Sequence, residues 1–81
     1  MSEQDAALLR ALQEEHGEAL YAYALRLCHG DRQRAEDLVQ ETMLRAWRHP
    51  EAMDTSRGSV RGWLFTTTRN LAIDAWRRRS A

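Results

Sequence analysis

Eighty-one residues form one domain at most, and a chain of that length buries only about 60% of its unfolded surface, so the core must be small. The formal charge is zero, but residues 1–41 carry four Arg against nine acids and residues 42–81 carry eight Arg against three, which makes the molecule a charge dipole suited to an anionic partner at its C-terminal end. A single cysteine excludes an internal disulfide, no segment resembles a secretory leader, and the longest apolar run, ALYAYAL, is too short to span a bilayer, so a soluble cytoplasmic chain without membrane insertion is expected.

The apolar residues recur at three and four with no alternating run, which predicts an all-α chain, a compact bundle of about four helices. The first helix starts near Asp5 and buries Leu8, Leu9 and Leu12, with His16 and Gly17 bending or breaking it. The second, EALYAYALRLC, places Leu20, Tyr23, Ala24 and Leu27 on one stripe and is apolar most of the way round, which predicts a central position. Gly30 then ends that helix and Asp31 caps the next, which runs to about His49, where Pro50 stops it. After the loop PEAMDTSRG, Ser59 caps a last helix that continues through Arg79.

At 100° per residue the third helix turns Ala35, Leu38, Val39, Thr42 and Ala46 toward the core. Its opposite side carries Asp37, Gln40, Glu41, Leu44 and Arg48, with Met43 and Trp47 on the flank. An apolar centre with a polar rim suits a partner helix, although one exposed Leu is also ordinary, and spacing does not separate the two.

The last helix has two faces. Val60, Leu64, Thr68, Leu71, Ala72 and Ala75 form a core stripe with Phe65 and Trp76 at its edge. Opposite lie Thr66, Asn70 and Arg77, flanked by Trp63, Thr67 and Asp74. Thr and Asn reach base edges, Trp stacks on an unpaired base and Arg holds phosphates. The closing arginines would also complement the helix dipole. Arg57, Arg61 and Arg69 tip the balance, since residues 55–81 hold six Arg against Asp74 alone.

Two segments, DRQRAEDLVQETMLRAW and RGWLFTTTRNLAIDAWRRR, in this order and spacing, resemble the second conserved region of bacterial sigma factors of the extracytoplasmic-function (ECF) subfamily, over roughly residues 8–79. The resemblance implies one region 2 domain over residues 1–81 that docks on the clamp coiled coil of the RNA polymerase beta-prime subunit through the positions Asp37, Gln40, Glu41 and Met43. Leu44, outward by projection, joins them. It also implies recognition, with help in melting, of the promoter minus-ten element, one non-template base being held flipped out by the loop 54–58 with Arg61, Thr66, Arg69 and Asn70. Asn70 matches the position that reads that base. Arg57, Trp63 and Arg77 complete the expected DNA contacts. Primary sigma factors use two adjacent Trp for melting and this chain has Trp63 alone, which points to stricter promoter choice. An anti-sigma partner is implied, a monomer is expected, and the minus-35-binding domain of the family has no counterpart here, so the chain reads as part of a longer protein.

Catalysis, cofactors and metals are not expected. His16, Cys28, His29 and His49 lack paired ligand spacing, and no nucleophile stands beside an oriented base. The competing reading is a helical protein-interaction module that sequesters a partner without touching DNA. Salt-dependent binding to single-stranded promoter DNA separates the two.

Overall fold

The computed structural model describes residues 2–54 and 58–80. Three α-helices, α1 (Glu3–Leu27), α2 (Arg32–Arg48) and α3 (Val60–Ser80), pack pairwise against one another, with a short 3-10 turn at Pro50–Met53 between the last two. No helix among the described residues is long and apolar enough to cross a membrane.

The expected break at His16 and Gly17 does not occur. Those residues lie buried inside a helix of 25 residues, which at about 1.5 Å per residue accounts for the 38 Å long axis of the molecule. A helix-interior Gly costs roughly 1 kcal/mol relative to Ala, but the helix buries Leu12, Leu20 and Ala24 on both sides of it, and that burial outweighs the local cost. One residue bears the consequence: His16 Nδ1 is buried with no hydrogen-bond partner among the described residues. The bundle is therefore three helices rather than four.

The caps explain the boundaries. Ser2 accepts from the Asp5 amide at 3.1 Å while Asp5 accepts from the Ser2 amide at 3.4 Å, a reciprocal capping box that starts α1 just before the expected Asp5. At the other end the Gly30 amide reaches the Leu25 carbonyl and the His29 amide the Arg26 carbonyl, the Schellman pattern. His29 takes the left-handed position at φ 53°, where Gly30, itself at 86°, was expected to act alone. Asp31 accepts from the Arg34 amide at 3.1 Å and opens α2, which ends at Arg48 before Pro50. Ser59 accepts from the Gly62 amide at 3.0 Å and so caps α3, as the sequence predicts.

Ala24, Ala35 and Ala46 are fully buried, and their small side chains let the backbones approach closely. Leu20 and Leu64 fill the centre, and two threonines join them there. Thr42 and Thr68, both fully buried, place their hydroxyl oxygens 2.8 Å apart across the α2–α3 contact, and each hydroxyl also lies within 2.9 Å of the carbonyl four residues before it.

Two apolar residues depart from expectation. Met43, assigned to the flank of the outward face, is buried. The unbroken α1 carries its first turns over that flank, where the Trp47 indole beside Asp5, ahead of Ser2, holds the Asp5 carboxyl below the usual carboxylate range. Trp76, assigned to the core edge, is 62% exposed, on the rim of the groove that separates the last turns of α3 from the α1–α2 turn.

Candidate nucleic-acid interface

The outward side of α2 is as the projection places it. Asp37, Gln40, Leu44 and Arg48 are exposed and Glu41 is half-buried. Short-range partners order this side: Gln33 donates to Asp37 at 3.1 Å, and Arg45 lies 3.6 Å from Glu41. Such exposed pairs contribute little to stability, on the order of 0.5 kcal/mol each, so they restrain side-chain direction more than they hold the fold. Met43 lies beneath this surface and supports it from the core.

Asp37 and Glu41 also line an open groove of about 820 Å³ whose far wall holds Arg78 and Arg79 of α3. Arg34 and Arg45 of α2 stand beside these acids in the groove, and no ion pair joins Asp37 or Glu41 to Arg78 or Arg79 among the described residues. The groove reaches Cys28, whose thiol is pushed up by burial and by nearby Asp31, the opposite of what a thiolate ligand or nucleophile needs.

On α3, Trp63, Thr66, Asn70 and Arg77 share one side, because steps of three, four and seven residues return within a narrow arc. Thr66, Asn70 and Arg77 are exposed and Trp63 is half-buried. Arg69, also exposed, lies a quarter turn away. Arg61 does not join them: nine residues before Asn70, it projects from the opposite side of the helix, its guanidinium 5.0 Å from the centre of the Phe65 ring. Phe65 in turn packs on Tyr23 of α1 at 5.0 Å, so Arg61 belongs to the α1–α3 edge. Arg57 and the loop positions 55–57 lie outside the described residues.

Beside this stripe is a cleft of about 440 Å³, within the range of about 300–1,000 Å³ that small planar ligands occupy. Trp63, Thr67, Asn70 and Asp74 form its α3 wall. The opposite side is built by Arg45 and His49 at the end of α2, the 3-10 turn, and Gly58 with Ser59 before α3. His49 is fixed there by Glu51, 3.2 Å from its Nδ1. Thr67, Asn70 and Asp74 make no side-chain hydrogen bond or ion pair among the described residues, in contrast to Thr42 and Thr68, whose hydroxyls are engaged.

Asn70 and Trp63 are therefore brought together with the loop end, and Thr66 adjoins them. Thr67 and Asp74 are expected from the sequence only as flanking residues, and Arg45, His49 and the 3-10 turn are not expected at this site. The recurrence of 63, 67, 70 and 74 at helical spacing was visible; the far wall was not, because it depends on how α2 meets α3.

A sequence profile of sigma-70 region 2 matches residues 12–81. The chain is 56% identical over 77 residues to the ECF RNA polymerase sigma factor SigL of Mycobacterium tuberculosis, covering 95% of this chain and 42% of that protein. It is 40% identical over 68 residues to the ECF RNA polymerase sigma factor SigE of Mycolicibacterium smegmatis, covering 84% of this chain and 25% of that protein. The chain thus spans less than half the length of these curated relatives.

Proposed function

We propose a division of labour for this chain, which belongs to the sigma-70 region 2 family of transcription initiation factors: α2 binds core RNA polymerase and α3 reads the promoter minus-ten element. The whole chain acts as one such module and performs no catalysis of its own. Its relatives bear the name of RNA polymerase sigma factors, which supports both partners.

The polymerase-binding surface is the exposed side of α2. Leu44 supplies an apolar centre and Asp37, Gln40 and Glu41 a polar rim, a pattern that suits a helix of the beta-prime clamp coiled coil. Met43 acts from below, by holding that surface in place.

The DNA-binding surface is carried by one observation: Trp63 and Asn70, with unspent hydrogen-bonding capacity, line a cleft large enough for a base that has left the duplex. A flipped base exposes its Watson–Crick edge, and the Asn70 amide offers it a donor and an acceptor together. Trp63 offers a stacking plane. Thr66, Arg69 and Arg77, outside the cleft, position the strand, while Arg61 reaches phosphate only at the α1 edge. Arg57 belongs to the same assignment from the loop. An anti-sigma factor would silence the module by covering either surface.

The test is Asn70→Ala, titrated with a fluorescent single strand enriched from a random pool and with the same strand made abasic at the captured position. The expected loss on the intact strand is about 1–3 kcal/mol, with little change on the abasic strand or in melting temperature. Equal losses on both strands would place Asn70 on the backbone instead.

A further inference from the structure

The cleft holds a carboxylate that base capture by Asn70 does not account for. Asp74 stands one turn beyond Asn70 on the cleft wall and is exposed to it. Its natural helix partners are Arg77 and Arg78, three and four residues on, and an acid four residues before a base is the favourable order. Neither comes within ion-pair distance. The cleft's own basic side chains are engaged elsewhere: Arg45 contacts Glu41 at 3.6 Å, and His49 contacts Glu51 at 3.2 Å. Asp74 therefore presents acceptor oxygens to the cleft with no partner among the described residues.

A carboxylate accepts hydrogen bonds and donates none, and it repels phosphate. The part of a DNA strand that enters beside Asp74 is then a hydrogen-bond donor and not a phosphate, which leaves the base edge. We propose that Asp74 determines which base the cleft takes, selecting one with an exocyclic amino group on its Watson–Crick edge, adenine, cytosine or guanine, over thymine. This rests on the base-capture reading above and adds the residue that sets its specificity. Thymine offers a single N–H between two carbonyl oxygens, which the carboxylate disfavours, whereas an amino group can donate to Asp74 while the neighbouring ring position meets the Asn70 amide. Thr67, on the turn between Trp63 and Asn70, can donate or accept and so fits any of the three.

The test uses this chain and a short labelled oligodeoxythymidine strand whose central residue is replaced in turn by adenosine, cytidine, guanosine or an abasic site, titrated at one salt concentration. At least one amino base should bind about five-fold or more tighter than the all-thymidine strand. Asp74→Asn, equal in size but able to donate, should abolish or invert that preference, and Asp74→Ala should abolish it without favouring thymidine. Melting temperature should be unchanged in both, because Asp74 is exposed and makes no contact that holds the fold. A preference that survives both substitutions, or equal binding of the four base-bearing strands with weaker binding of the abasic one, overturns this inference alone, whereas equal binding of all five strands overturns the base-capture reading as well. Failure to bind any strand overturns the base-capture reading and this inference with it.

Discussion

Thr42 and Thr68 make three close oxygen contacts with only two hydroxyl protons, so one of the three is always without a hydrogen. Each carbonyl involved still accepts its helical amide, which is why the pair is tolerated at full burial. Thr42→Val or Thr68→Val alone should cost about 1 kcal/mol, through the lost hydroxyl–hydroxyl bond. The double substitution removes both polar partners and should cost less than the two singles combined, measured by urea unfolding. Strictly additive costs would mean that the hydroxyls do not couple α2 to α3. Both threonines were legible as core positions from helical spacing. Their partnership was not, since no local pattern specifies which turn of α2 meets which turn of α3. Leu44 was legible as outward, whereas Met43, 100° from it along the helix, was misplaced because its burial depends on the path of α1.

At the scale of the elements, punctuation residues were reliable where they act through their own hydrogen bonds. Asp31, Pro50 and Ser59 end or start helices as expected, since a cap or a missing amide acts locally. Gly17 misled because a glycine lowers helix propensity by an amount that tertiary burial readily exceeds. A methyl group at Gly17 would meet only the far end of the flexible Gln13 side chain, which can swing away. Gly17→Ala should therefore raise stability by up to about 1 kcal/mol, read as a higher melting temperature. A loss of stability would show that Gly17 is needed for close packing. For α2, Gln40→Ala with Leu44→Asp should leave the melting temperature nearly unchanged, because both residues are exposed, yet weaken core polymerase binding by about 2 kcal/mol or more. A titration against core polymerase with unchanged affinity would remove α2 from the interface.

For the whole molecule, the charge asymmetry of the sequence becomes an arrangement of faces. Acids predominate in α1, α2 mixes three acids with four Arg, and arginines border the α3 surface and the groove at its end. Net charge near zero therefore hides a local basic field that a polyanion would meet, and that field, unlike an apolar contact, weakens as salt rises. The central claim is that this helical module reads single-stranded DNA through α3. Its most direct test is fluorescence titration of the chain with a labelled strand enriched from a random pool, repeated across salt concentrations. With three or four arginines on phosphates, the logarithm of affinity should fall against the logarithm of salt with a slope of roughly −2 to −3. No binding, or affinity independent of salt, would contradict the account and leave a module that engages proteins alone.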